Sequence, residues 1–382
     1  MPNPPITRRS LLRTLAGTAL SVPLLRAGET ALQPAEIQAM EAAVREEMQA
    51  FQIPGLSLAF AHRGKLAYRA AFGLADREAK EPLTPAHRFR IASVSKPITS
   101  AAIYRLVEQG KLGLQDKVFG AKGLLPTDEV ADPGVLKITL HHLLTHTCGG
   151  WGNSNNDPMF KNPAMNHREL IEWTLKHLPL EKEPGQAYAY SNFGYCLLGR
   201  VIEAVAGETY EVHVKRTVLT PCGIESMRIG GNTLAERQPL EVVYHGQQGE
   251  NPYGSTINVR RMDSHGGWLA TAEDLTRLLV RLDGFPDPPD LLAPATIRQM
   301  TTASSANPGY ASGWSVNPKP NWWHGGSLPG TSTLAVRTAS GMCWAVLANT
   351  RFRDPKQPEK NTDTALDRLM WKLARQVPAW GA

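Results

Sequence analysis

The 382-residue sequence predicts an α+β fold, in which an antiparallel sheet built from both chain ends is flanked by helices and carries an inserted, mostly helical lobe. Strand-like segments near the N-terminus are joined by Arg63-Gly64, which is typical of a hairpin. Three further strand-like segments follow in the last third, at 314–316, 334–337 and 343–348. Helical spacing dominates the middle of the chain, which predicts the lobe.

Four parts follow from this pattern. We expect an export signal in residues 1–27, the first part of an α/β domain in 28–110, the helical lobe in 111–224 and the second part of the α/β domain in 225–382. The first part carries four arginines and no acidic residue, and without those arginines the formal net charge falls from +6 to +2. No nucleic-acid partner is therefore expected.

The N-terminal segment has the pattern of a twin-arginine export signal. Arg8-Arg9 precedes an uncharged, mostly apolar run at 14–25, which predicts a periplasmic or extracellular protein. The run is too short to cross a bilayer as a helix, so no transmembrane segment is expected in the mature chain. A disordered basic tail is the alternative, because residues 25–27 form only a weak cleavage site.

Apolar residues recur at helical spacing in seven segments, several of which end at glycine or proline. The predicted helices cover residues 35–51, 93–109, 138–146, 167–178, 193–206, 271–282 and 365–373. The winding connection at 111–135 and the loop at 151–166 are rich in residues that favour turns.

The helix that begins near Ser93 is the strongest candidate for chemistry. It is apolar nearly all round, which predicts burial, and Pro97 fits only near its start. Lys96 lies one turn from Ser93 on the same face. Desolvation lowers the pKa of an ammonium group, so Lys96 can act as or assist the general base for Ser93, the candidate nucleophile. Taken alone, the pair is better explained as a capping serine with a snorkelling lysine, so the catalytic interpretation depends on its context.

A second candidate group stands at another junction between a loop and a helix. Tyr190 near Lys96 can be stabilised as a phenolate and take the Ser93 proton, and Asn192 can hydrogen-bond a substrate carbonyl or amide. In isolation these residues are better explained as a core tyrosine with an asparagine cap.

The third group is His324-Gly325-Gly326-Ser327, at the start of a predicted strand or hairpin. Its glycines allow a substrate backbone to approach the strand edge, and a following N–H can complete an oxyanion hole with that of Ser93. A similar segment, 265–267, precedes a helix and lacks a strand edge, so it is set aside.

Together the three motifs occur in the order typical of one superfamily: Ser93-x-x-Lys96, Tyr190-x-Asn192 and His324-Gly325-Gly326. They resemble the class C β-lactamase-like serine hydrolases, which include penicillin-binding D-Ala-D-Ala carboxypeptidases, D-aminopeptidases and family VIII esterases. The resemblance covers nearly all of the chain after residue 35. It implies a β-lactamase/transpeptidase-like fold, no cofactor, and a small-molecule ester, peptide or amide as substrate; the oligomeric state stays open.

The resemblance also implies a mechanism. Ser93 forms an acyl-enzyme, Tyr190 and Lys96 share the acid and base work, and the N–H groups of Ser93 and Ser327 form the oxyanion hole. Which of the two is the base stays open. The superfamily's β-lactamases have Lys-Thr-Gly at the third motif, whereas His324 is mostly neutral at pH 7. Esterase or D-specific peptidase activity is therefore expected before β-lactamase or D-Ala-D-Ala carboxypeptidase activity, with a non-catalytic penicillin-binding sensor as a further alternative.

Other polar groups predict structural roles. His142 and His146 are four residues apart, but no third ligand is near, so no metal is expected. Arg260-Arg261 is expected in a solvated loop. The cysteines lack CxxC spacing and are expected as buried free thiols. They are Cys148, Cys196, Cys222 and Cys343.

Overall fold

A computed structural model describes residues 32–127, 129–154, 156–254 and 257–381, so the predicted export signal lies outside the described residues. The described strands are β1 (Gly55–His62), β2 (Lys65–Asp76), β3 (Glu81–Pro82), β4 (Phe89–Arg90), β5 (Arg228–Ile229), β6 (His245–Gly246), β7 (Trp268–Ala270), β8 (Ser315–Val316), β9 (Trp322–Leu328), β10 (Thr331–Arg337), β11 (Met342–Ala348) and β12 (Thr350–Arg351). The described helices are α1 (Pro34–Ala50), α2 (Ser95–Glu108), α3 (Leu140–Leu144), α4 (His167–His177), α5 (Asn192–Ala206), α6 (Tyr210–Val214), α7 (Ala272–Val280), α8 (Pro294–Met300) and α9 (Thr362–Arg375).

The main sheet has the strand order β3-β2-β1-β11-β10-β9-β8, and every neighbouring pair is antiparallel. β1 pairs with β2 on one side and with β11 on the other, with Leu56 opposite Ala348. The sheet is thus assembled from both chain ends, as predicted. In the β1–β2 hairpin, Arg63 and Gly64 have φ of 49° and 79°, as a two-residue turn of this hand requires.

Helices cover both faces of this sheet. α1 and α9 lie on one face, where Leu58 and Phe60 pack with Trp344. The alternate residues Ala59 and Ala345 face the opposite layer, which contains α2, α5 and α7. This alternation follows from the two-residue period of a strand. The α+β prediction is confirmed; the four-part division stays a prediction.

α2 runs through the larger core. All its residues from Ser95 to Tyr104 are buried, which confirms the prediction from its apolar surface. Pro97 is its third residue, where the missing N–H leaves no broken bond inside the helix. No helix in the described part of the chain is long and apolar enough to cross a membrane.

Candidate active site

Ser93 lies in a 3₁₀ turn, Ala92–Val94, that connects β4 to α2. Ala92 has a φ of 45°, in a left-handed region that residues with a Cβ seldom adopt. Ala92 and Val94 are buried, whereas Ser93 is half-buried. The turn therefore places one hydroxyl at the edge of an otherwise closed core.

The Lys96 side chain is completely buried, and three polar atoms surround its amine. Nζ lies 3.1 Å from Ser93 Oγ, 2.7 Å from Asn192 Oδ1 and 3.1 Å from His265 O. The amide and carbonyl oxygens can only accept, so the amine donates to both. A neutral amine then has its lone pair left for the Ser93 hydroxyl.

Electrostatics favours that neutral amine. Burial lowers the pKa of Lys96 to about 7, although the charge of Asp157 opposes this shift. Asn192 is held with its oxygen toward Lys96, because its Nδ2 donates to Asn153 Oδ1 over 3.1 Å. Near neutral pH the site therefore holds a buried amine that can take a proton from Ser93.

Tyr190 lies beside the same amine, with Lys96 Nζ 4.6 Å from the centre of its ring. Burial raises the pKa of Tyr190 far above its usual value, and an interaction with the Ser93 hydroxyl offsets part of this effect. The phenol is thus neutral and suited to donate a proton. Its backbone is fixed, because Asn153 N donates to Tyr190 O over 2.6 Å.

A chain of hydrogen bonds connects this junction to β9. Ser191 N donates to His146 Nδ1 over 3.1 Å, so His146 donates through Nε2 to the Tyr310 hydroxyl, also over 3.1 Å. His324 Nδ1 donates to Gly325 O over 2.7 Å, and its Nε2 accepts from Tyr310 over 3.1 Å. Burial lowers the pKa of His324 to about 3 and holds that of His146 well below its usual value. Both rings are neutral, and both nitrogens of each are occupied.

The glycines of β9 face different surroundings. A Cβ on Gly326 would meet Ile91 O at 2.1 Å, so β9 packs directly against the turn that carries Ser93. Gly325 faces a groove against α9 that Trp323 and Trp371 also line. The Ser327 hydroxyl accepts from Arg353 over 3.0 Å. The strand is near the nucleophile as expected, and the oxyanion role of Ser327 and Ser93 stays a prediction.

Sequence reasoning missed several residues of this site. The expectation that segment 265–267 lacks a strand edge is wrong, because it leads into β7, and its His265 carbonyl contacts Lys96. Asn153, Asp157 and Tyr310 also contact the predicted residues. Their positions in loops without periodicity gave no signal, except that Asp157 precedes a proline as a helix cap does.

The predicted free thiols are confirmed: all four cysteines are buried and free. Burial raises the pKa of Cys148 to about 11 and that of Cys196 to about 12, so neither is a reactive thiolate. Within the described ranges, no group of three or more His, Cys, Asp and Glu side chains is arranged to hold a metal ion.

Comparison with known proteins identifies the family. The family model described as Beta-lactamase matches residues 40–368. The chain belongs to the beta-lactamase family. Among its relatives is esterase EstB of Burkholderia gladioli, 30% identical over 312 residues that cover 72% of this chain and 78% of that protein. Another is penicillin-binding protein 4* of Bacillus subtilis (strain 168), 29% identical, with 75% of this chain and 65% of that protein covered.

Two solved structures have the same architecture. The octameric penicillin-binding protein homologue from Pyrococcus abyssi matches with a TM-score of 0.70 and 25% identity, over 90% of this chain and 79% of that one. D-amino acid amidase from Ochrobactrum anthropi SV3 matches with a TM-score of 0.73 over 91% of this chain and all of that one. At 20% identity, the second likeness establishes the fold alone.

Proposed function

We propose that this beta-lactamase-family chain is a serine hydrolase that cleaves small esters or amides through an acyl-enzyme on Ser93. The observation that carries the proposal is the position of Lys96, whose buried amine has two acceptor-only partners and faces the Ser93 hydroxyl. The relationship to an esterase supports the same reaction class.

The proton movements follow from the charge states. The neutral Lys96 amine takes the Ser93 proton while Oγ bonds to the substrate carbonyl carbon. Lys96 is then an ammonium, and the bond to the leaving alcohol or amine breaks as Tyr190 donates its proton and regains one from Lys96. Water repeats the sequence on the acyl-enzyme, releasing a carboxylic acid and restoring Ser93.

His324 supports an uncharged substrate. A carboxylate beside the scissile bond needs a cation or a free donor, and His324 has neither, because its nitrogens bond Gly325 and Tyr310. Losing one charge-assisted contact weakens binding by about 1.5–3 kcal/mol, roughly 10- to 150-fold. We therefore place neutral acyl esters ahead of anionic β-lactams and of peptides with a free carboxylate.

The test compares wild type and Ser93→Ala on p-nitrophenyl butyrate, a D-amino amide and nitrocefin. We expect ester turnover that the variant lacks, with kcat/KM for nitrocefin at least tenfold lower than for the ester. A fluorophosphonate label should add to wild type and not to Ser93→Ala, as measured by intact mass. Acylation without turnover would support the sensor alternative. The absence of both labelling and turnover in wild type would overturn the proposal.

We also propose that residues 1–27 direct export, on the strength of Arg8-Arg9 and the apolar run that follows. Fractionation of bacteria expressing wild type and the Arg8→Lys/Arg9→Lys double variant tests this. The proposal would be contradicted if both proteins stayed in the cytoplasmic fraction to the same extent.

A further inference from the structure

Asp157 is a buried carboxylate next to the proposed catalytic groups, with 5% of its surface exposed. Its Oδ2 accepts from Asn192 N over 2.8 Å and its Oδ1 from Met159 N over 3.0 Å. None of the ion pairs among the described residues includes Asp157. Burial raises the pKa of Asp157, and the hydrogen bonds from Met159 and Asn192 oppose this shift, so the two N–H donors favour the ionised form of a carboxylate that has no direct cation partner.

A second observation links this carboxylate to Lys96. Asn192, which Asp157 holds by its backbone N–H, accepts from Lys96 Nζ through its side chain. The other two partners of the amine, Ser93 Oγ and His265 O, are neutral. The negative charge of Asp157 therefore acts on an amine whose contacts carry no charge of their own.

The loop that carries Asp157 is held rigidly. The Arg261 guanidinium is buried and donates to four carbonyl oxygens of this loop. They belong to Met159, Lys161, Asn162 and Met165. The loop therefore fixes the position of the carboxylate relative to α5.

We propose that Asp157 is a positioning residue for the reaction: it fixes the first turn of α5 through Asn192, and its negative charge favours the protonated form of the buried Lys96 amine. This inference rests on the proposed function, since it needs Lys96 to take the Ser93 proton. Asp157 lies outside the three sequence motifs.

Few neighbouring groups can titrate with Lys96 and Asp157. The amine is faced by Tyr190, Tyr195, His146, His265 and His324. The carboxylate is faced by Cys148, Cys196 and Tyr190. Burial lowers the histidine pKa values and raises those of the tyrosines and cysteines, so none of these groups gains a charge near neutral pH. A shift of the pH profile near neutrality therefore reports on Lys96 or Asp157.

Asp157→Asn keeps the shape and removes the charge. Without the charge the pKa of Lys96 falls further, so the acid limb of the kcat/KM profile for p-nitrophenyl butyrate should move down by about one pH unit. The plateau should fall about tenfold, because an amide nitrogen now faces one of the two N–H donors. The rate of fluorophosphonate labelling of Ser93 should show the same pH shift.

Asp132→Asn is the matched control. Asp132 also precedes a proline at a 3₁₀ turn and accepts two backbone N–H bonds, from Gly134 and Leu180, but it acts on no catalytic group. It should leave the limb in place. If wild type turns over the ester but the pH profile of Asp157→Asn is identical to that of wild type, the inference is overturned and the proposed function stands. If wild type shows neither turnover nor labelling, the proposed function itself is refuted. A similar shift in Asp132→Asn would also overturn the inference.

Discussion

Gly326 of β9 lies so close to the carbonyl oxygen of Ile91 that a Cβ would approach this oxygen to 2.1 Å. Gly326→Ala therefore has to move β9 away from the turn that carries Ser93. We expect kcat/KM to fall about 100-fold or more, because small displacements of reacting groups have large effects on rate. Ester hydrolysis and thermal unfolding of the purified variant measure the effect.

The neighbouring glycine provides the control. A Cβ on Gly325 would have 3.9 Å to its nearest neighbour, Thr333 O. Because its Cβ would lie in the groove against α9, Gly325→Ala should lower kcat/KM at least tenfold less than Gly326→Ala does and change stability by less than about 1 kcal/mol. Equal effects of the two substitutions would contradict the packing relationship.

The pH dependence of the reaction should report on Lys96. With its pKa lowered to about 7, the amine is protonated below that pH and cannot accept the Ser93 proton. We expect kcat/KM to rise about tenfold per unit at acid pH and to level off above about pH 7. Initial rates from pH 5 to 9, at constant ionic strength, measure this; a flat profile between pH 6 and 8 is the contrary result.

Lys96 should also make stability depend on pH. Its pKa is about 7 in the folded protein against 10.5 in a free side chain, so between these values the unfolded chain binds more protons and stability rises with pH. Lys96→Met removes this pH dependence, so between pH 7 and pH 10 the stability of wild type should rise relative to that of the variant, which should also lose activity more than about 1000-fold. Ser93→Ala retains the lysine and should keep the wild-type slope in thermal unfolding.

Tyr310→Phe should damage the hydrogen-bond chain between His146 and His324. The substitution leaves a buried donor on His146 and a buried acceptor on His324 without partners, at a cost of about 1–3 kcal/mol each. Urea unfolding measures the loss. Tyr188→Phe is the comparison, because its ring contacts His146 and Tyr310 while its hydroxyl makes no hydrogen bond found among the described residues, and it should cost less than about 1 kcal/mol.

Substitutions of two adjacent arginines should differ sharply in their effect on stability. Arg261→Met removes four hydrogen bonds to carbonyl oxygens, one buried and three partly buried, and should destabilise the protein by about 2 kcal/mol or more. Arg260 is 63% exposed and pairs with Glu236, so Arg260→Gln should cost less than about 1 kcal/mol. The midpoints of urea unfolding of the two variants test this difference. Similar midpoints would refute the role given to Arg261 in holding the loop.

Features encoded in local pattern could be predicted from the sequence. The Arg63-Gly64 turn, the buried α2 and the capped α7 each follow from residues within one element. The spacing of Ser93 and Lys96 likewise brings the hydroxyl and the amine together within one turn. In such cases short-range geometry leaves few alternatives.

Contacts between distant segments could not be predicted. The expectation of a solvated loop at Arg260-Arg261 is wrong for Arg261, because the carbonyls that surround it come from a loop about 100 residues earlier. His265 contributes a backbone oxygen, which no side-chain pattern reveals. Tyr310 joins two histidines that are 164 and 14 residues away in sequence. These contacts arise only once the sheet and the helical layer are packed.

The pairing of β1 with β11 has a consequence for biosynthesis. While the ribosome is still adding residues, β1 can pair with β2, but its other edge stays open until Met342–Ala348 emerges. Closing so long a loop is slow, and an unpaired apolar edge invites association with other nascent chains. A chaperone that shields this edge would therefore raise the yield of folded protein, and a stop codon before β11 would leave the strand permanently exposed.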